Sequence, residues 1–313
     1  MTARMRLLIL GARSKTAEAV VRLLRRKRPS WEVLLLSHRW GEPRSLYGCP
    51  IHVVPFYRRQ PLKNACLNWE PEVILNTAAL TDVDACEQER SRAWQVNVGL
   101  VEAVVGICRI LGSHLVQLST DYVFEGDKGP YAETDRPAPI NYYGKTKLAA
   151  ENLCLATAPS VTIVRTTQVY GTPASWAEDV LCWALRRARQ GETVAVAADV
   201  CTNPIFVDDL ARALLCAIER HDQGVFHVAG DEWLSRYEFL RRAFRKAGVD
   251  TTLLLPLPAQ ELYRGRAPRP QRGGLLCERA QSVWNFTPTP FEEALLQALR
   301  RAHRASGSGE STE

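Results

Sequence analysis

The sequence predicts an α/β fold, a doubly wound parallel sheet with helices on both faces, and three observations predict it. Short, almost wholly apolar runs of strand length recur through the first two-thirds of the 313 residues, and segments of helical spacing separate them. The runs are continuous rather than alternating, as strands covered on both faces require. The first of them, "RLLIL", passes directly into the tight segment Gly11-Ala-Arg-Ser-Lys-Thr-Ala17 and then into a helical run, "AEAVVRLLRR".

Further strands are expected at "EVLLLS", "IHVVPF", "EVILNTAA", "HLVQLST" and "VTIVRTT", with a helix over "SRAWQVNVGLVEAVVGICRIL". After "VYGTPAS" the pattern changes. A helix is expected over "WAEDVLCWALRRARQG", then a strand at "GVFHVAG", then a helix opened by the capping box Ser235-x-x-Glu238. "PLPAQELYRGRAPRPQRGG" is rich in Pro, Gly and Arg and is expected to be a loop crossing a surface or cleft. The last helix is expected to take Thr289 as its N-cap with Pro290 in its first turn. The Gly/Ser-rich end predicts a disordered tail over 306–313. Residues 1–170, rejoined by segments near 195–230, are expected to form the doubly wound part, and 171–305 mainly a second, smaller part.

Composition narrows the function. The net charge is +6, but the arginines are dispersed along amphipathic stretches such as "VVRLLRRKRP", where solvated helix faces account for them. No nucleic-acid partner is expected, and a small phosphorylated ligand suits the charge. No apolar run approaches the ~20 residues of a membrane span, so no membrane partner is expected and the location is read as cytoplasmic. Nine cysteines, an odd number with no C-x-x-C pair, read as small buried hydrophobes.

A strand, a glycine turn and a helix at the start of such a fold form a dinucleotide site: backbone N–H groups and the helix N-terminus meet the pyrophosphate. Gly11 can make the turn. Ser14 and Ala17 stand where the spacing expects two more glycines. A side chain at Ser14 is expected to disfavour positive φ and to crowd the phosphates, while its hydroxyl, with Arg13, Lys15 and Thr16, can donate to them. The second strand ends in "LLLSHRW", with no acid to accept from a ribose 2′-OH. Ser37 is expected beside the ribose, and Arg39 with Arg13 can pair with a 2′-phosphate, so NADPH is preferred and NADH is the second candidate.

"HLVQLST" ends in Ser119 and Thr120, and a later helix carries Tyr143 and Lys147 at i and i+4, on one face. An ammonium beside a phenol is expected to lower its pKa and fit it as proton donor to a nascent alkoxide. A hydroxyl such as Thr120 can hold the carbonyl oxygen in the same pocket.

These motifs resemble the extended short-chain dehydrogenase/reductases, and within them the dTDP-4-dehydrorhamnose reductase (sugar nucleotide reductase) family. The resemblance runs from about Met5 to the last helix and is carried by "LNTAALTDVDACEQERSRAWQVNV", "QLSTDYVFEGDKGPYAETDRPAPINYYGKTKLAAE", "VRTTQVYG", "NPIFVDDLARAL" and "APRPQRGGL". It implies a Rossmann fold with a smaller C-terminal substrate-binding part. It implies Thr120, Tyr143 and Lys147 as catalytic residues, with Tyr143 donating a proton and Lys147 also holding the nicotinamide ribose. Thr77, Ala78, Ala79 and Asn97 are implied on the cofactor side. Asp121, Tyr122, Gln168 and Arg269 are implied on the substrate side, Arg269 as a diphosphate contact and Gln168 where many relatives have Trp. The implied activity is NADPH-dependent reduction of a 4-keto-6-deoxy nucleotide sugar, and a homodimer is admitted. The alternatives are epimerisation or dehydration of a nucleotide sugar, or a non-catalytic regulatory subunit like the one such a fold provides to methionine adenosyltransferase. Some relatives use magnesium at an acidic dimer contact; Glu292 and Glu293 are equally well explained as first-turn carboxylates, and no metal is predicted.

Overall fold

The computed structural model describes residues 5–38, 44–171 and 179–307. Arg39, much of the segment after "VYG" and the last six residues lie outside them. Eight strands form the main sheet: β1 (Arg6–Leu10), β2 (Glu32–Ser37), β3 (Ser45–Leu46), β4 (Cys49–Val53), β5 (Val73–Asn76), β6 (His114–Thr120), β7 (Val161–Thr166) and β8 (Gly224–Val228). Their order is β8-β7-β6-β5-β1-β2-β4-β3, parallel throughout except for the β3–β4 hairpin. Every expected strand of the first two-thirds is present. β4 stops at Val53, short of Pro55, which has no N–H to continue a ladder.

Helices cover both faces. On one side α1 (Lys15–Lys27) packs with α2 (Val207–Arg220), burying a core that includes Leu7, Ile9, Val20 and Leu214. On the other, the core around Leu8, Ile74 and Leu115 is closed by a stretch helical from Arg90 to Leu111. That stretch is 22 residues long and, by length and composition alone, apolar enough to cross a membrane; 56% of its apolar window is buried in the protein. It was not conspicuous as an apolar run because arginines occupy its first turn. A π turn at Gln95–Gly99 interrupts it.

A third core gathers Tyr170, from the short strand Val169–Tyr170, with Leu185, Phe239, Phe244 and Phe291, from a helix at Val180–Arg189, from α3 (Arg236–Ala247) and from α4 (Phe291–Gly307). Four differences from expectation fall here. The Pro-rich segment is not all loop: Leu254–Leu257 pairs in parallel with Val194–Ala197 on a two-stranded edge, where Pro256 is tolerated, and Ala259–Leu262 is helical. Thr289 does not cap the last helix: its hydroxyl donates to Asp209 at 2.8 Å, and the first helical N–H, that of Phe291, is taken by Asp231 at 3.2 Å. That helix continues to Gly307, two residues into the expected tail, because each added residue gains a bond for little further cost. Ser235 does cap α3, accepting from Glu238 N at 3.1 Å, but Glu238 binds Arg241 and Arg242 rather than closing the box.

Candidate active site

The strand order reverses between β1 and β5, and beyond their carboxyl ends a cleft of about 640 Å³ opens. Gly11 forms its floor with φ +91°, and a Cβ there would lie 2.9 Å from Thr77 Oγ1 and 3.0 Å from Ala78 N. Conformation and space both demand glycine at this position. Ser14 is different. Its φ is −70° and ψ 135°, ordinary extended backbone, so the glycine missing at this position costs no left-handed conformer. Its Oγ accepts from Ala17 N at 3.3 Å and caps α1, leaving the hydroxyl proton to donate outward. Arg13, Lys15, Thr16, Ser37, Ala78 and Ala79 line the same end. Beyond them His38, Phe56 and Tyr57 form an aromatic patch with ring centroids 4.8–5.3 Å apart, where the sequence offered no acid.

The opposite wall carries Thr120, Tyr143 and Lys147. Thr120 ends β6 and accepts from Tyr122 N at 3.2 Å. Tyr143 lies in the first turn of the helix Tyr142–Thr157, which Asn141 caps by accepting from Gly144 N at 2.8 Å. Gly144 lets this helix rest on the Asp121–Val123 turn; a Cβ would stand 2.1 Å from Tyr122 O. This close approach brings the phenol beside the Thr120 hydroxyl.

The electrostatics correct one expectation. Burial pushes the Tyr143 pKa well above the usual phenol range; the Thr120 hydroxyl opposes the rise, and Asp121 adds to it. Lys147 gives its ammonium to Leu118 O at 2.6 Å, and burial pulls its pKa down to about 8 while Glu151 resists. Desolvation is the largest influence on each group, and Lys147 is not among the main influences on the phenol. A phenol held protonated still suits a proton donor.

Asp121 and Tyr122 also line the cleft, as does Gln168. Asp121 accepts from Thr202 Oγ1 at 3.1 Å, Gly274 N at 3.2 Å and Thr120 Oγ1 at 3.3 Å, so it ties β6 to two distant segments, and burial raises its pKa. Behind the wall, Glu151 accepts from Ser119 Oγ at 2.5 Å and from Arg165 Nη2 at 2.7 Å. Arg165 Nη1 lies 3.3 Å from His227 Nε2.

Two expected residues stand outside the lining. Asn97 is buried; its Oδ1 accepts from Leu80 N at 2.8 Å, and its Nδ2 donates to Leu80 O and to Thr146 Oγ1. It pins the loop after β5 instead of facing the cleft, because the π turn directs it there. Arg269 is held by Asp84 at 2.7 Å and lies over the Tyr263 ring at 4.9 Å, a brace rather than an open cation. Sequence reasoning missed Arg236, which does line the cleft. The available signal was a cation at the first position of a helix, where the dipole disfavours one.

A cleft with a dinucleotide turn at one end and a Thr–Tyr–Lys wall at the other is that of an NAD(P)-dependent oxidoreductase of the short-chain type. The chain belongs to the family described as RmlD substrate binding domain, whose model matches residues 5–304. It is 35% identical over 235 residues to a dTDP-4-dehydrorhamnose reductase of Mycobacterium tuberculosis, covering 73% of this chain and 76% of that protein. It is 28% identical over 302 residues to the methionine adenosyltransferase 2 subunit beta of Danio rerio, covering 94% and 90%. Among solved structures, a dTDP-4-dehydrorhamnose reductase from Bacillus anthracis in complex with NADP matches with a TM-score of 0.84 at 26% identity, covering 95% of this chain and 99% of that one.

Proposed function

We propose that this chain reduces the 4-keto group of a dTDP-linked 6-deoxy sugar, with NADPH as its cofactor and NADH as a weaker substitute. The observation that carries the proposal is the convergence of Thr120, Tyr143 and Lys147 on one wall of a cleft whose other end is the Gly11–Thr16 turn. The residues present fit a dinucleotide: Gly11 keeps the floor low, the α1 N-terminus and Ser14 offer donors to a pyrophosphate, Arg13 and Lys15 supply positive charge, and the His38–Phe56–Tyr57 patch offers flat apolar surface to a base. When bound, the dihydronicotinamide supplies the hydride.

The protein's own part is to bind, orient and donate a proton. Thr120 positions the keto oxygen, and Tyr143 gives its phenolic proton to that oxygen as negative charge develops. Lys147, cationic below about pH 8, stabilises the phenolate left behind and reaches the ribose hydroxyls. Residues 171–305 supply mainly the substrate side in this scheme. Cytoplasmic action is part of the proposal, supported by nine free cysteines. A regulatory, non-catalytic role draws its support from the eroded turn, and the extended backbone at Ser14 weakens the part of that support that rested on backbone conformation.

The test follows NADPH absorbance with a panel of 4-keto nucleotide sugars. The unaltered protein turns one of them over, and Tyr143→Phe loses roughly 10²–10⁴-fold while still binding NADPH. No turnover by the unaltered protein, or undiminished turnover by Tyr143→Phe, overturns the proposal.

A further inference from the structure

Two buried donors in residues that line the cleft, Gln168 Nε2 and Arg236 Nε, have no hydrogen-bond partner among the described residues. Buried donors are almost always satisfied, and an unmet one on a charged group is costly. Arg236 is held in place by its outer nitrogens: Nη1 donates to Tyr263 Oη at 2.9 Å, and Nη2 makes only a long contact of 3.5 Å to Tyr122 Oη. No carboxylate forms an ion pair with it among the described residues. The nearby acid, Asp121, already accepts from Thr120, Thr202 and Gly274.

The edge left open on Arg236 is the Nε/Nη2 edge. Elsewhere in this molecule the same edge is filled: Arg165 grips Glu151 through Nε at 3.0 and 3.1 Å and Nη2 at 2.7 Å. That fork matches the two oxygens of a carboxylate or a phosphate. Tyr122, whose hydroxyl Nη2 approaches, has its ring 5.9 Å from the Tyr143 ring, edge to face, so the open fork is one aromatic residue away from the proton donor. Arg13 and Lys15 lie at the cofactor end of the same cleft and Lys147 on its reactive wall, which leaves Arg236 as the lining arginine away from the cofactor end among the described residues.

We propose that Arg236, with Gln168 beside it, binds the sugar-proximal phosphate of the nucleoside diphosphate in the substrate, taking the role that the sequence suggested for Arg269. This rests on the nucleotide-sugar reduction proposed above. A 6-deoxy sugar carries no carboxylate of its own, so the phosphate joined to the sugar is the anion that lies nearest the reacting carbon. Holding it fixes where the keto group sits against Tyr143.

The test is calorimetric titration of the full chain with dTDP, dTMP and NADPH, for the unaltered protein, Arg236→Met and Arg236→Lys. The unaltered protein binds dTDP more tightly than dTMP. Arg236→Met weakens dTDP roughly ten- to hundredfold, changes dTMP and NADPH little, and melts no lower than the parent because an unmatched cation has been removed. Arg236→Lys falls between, keeping charge but losing the fork. Equal dTDP affinity in the parent and in folded Arg236→Met overturns the assignment and leaves the nucleotide-sugar proposal standing. A parent that does not bind dTDP overturns both. Equal loss of NADPH and dTDP in Arg236→Lys also overturns the assignment, since the fork would then serve the cofactor.

Discussion

Glu151→Gln tests how the reactive wall is held. The Glu151 carboxylate, 1% exposed, accepts from Ser119, the neighbour of Thr120, and binds Arg165 in a bidentate clasp whose guanidinium is 5% exposed. The amide keeps the shape and removes the charge. It leaves a buried guanidinium without its counter-ion, a change that costs about 3–5 kcal/mol. At roughly 2–4 °C for each kcal/mol in a protein of this size class, melting falls on the order of 10 °C. Glu151 also lies one helical turn beyond Lys147 and supports its ammonium, so the alkaline limb of the activity profile moves below its starting point near pH 8. Thermal melting by circular dichroism and a pH profile of kcat give the two readouts. The double variant Glu151→Leu/Arg165→Met loses less than the two single changes added together, because neither charge is stranded. A Glu151→Gln protein that melts within about 2 °C of the parent, with an unshifted pH limb, refutes the picture of a buried pair bracing the wall.

Acid weakens the fold early. Burial and Arg165 pull the His227 pKa down to about 3, and burial with His221 pulls His114 to about 4, so the unfolded chain takes up these protons first. Their stability is present above pH about 6.5 and is lost as pH falls toward 4 and 3; urea midpoints are therefore lower at pH 5 than at pH 7, and equal midpoints contradict this. Lys147 has the opposite consequence: with its pKa near 8 against 10.5 when unfolded, its burial penalty relaxes as pH rises across that interval. Activity nonetheless declines as pH passes 8 and the ammonium is lost, and a kcat/KM profile flat to pH 10 refutes the role given to it. Ser14→Ala removes the α1 cap and costs about 1 kcal/mol, whereas Ser14→Gly costs a few tenths; chemical denaturation that finds the two variants equal contradicts the capping role.

The strands were legible because each is a short apolar run shielded on both faces, a pattern that local sequence carries by itself. The catalytic constellation was legible for a similar reason, since a strand end and an i, i+4 pair are local. What failed needed three-dimensional information. The turn was judged by its missing glycines, yet the φ of −70° at Ser14 demands none. Spacing alone points to a phenol lowered by Lys147, whereas burial, which spacing does not carry, raises it. Arg269 and Arg236 are equivalent in composition. Only the fold brings Asp84, 185 residues away, onto the first and leaves the second with an open edge.

The π turn at Gln95–Gly99 makes one rod serve two masters. Ahead of it, Ala93 joins Cys86 in the small cluster under Tyr143; behind it, Leu100, Val104 and Cys108 fill the sheet core. The additional residue offsets these two faces by roughly 100° of rotation. Excising one residue there would restore an even winding that matches either the tyrosine or the core but not both, and Asn97 would swing off Leu80. The irregularity therefore behaves as a mechanical coupling of fixed phase, and point substitutions should be far gentler there than a change of length.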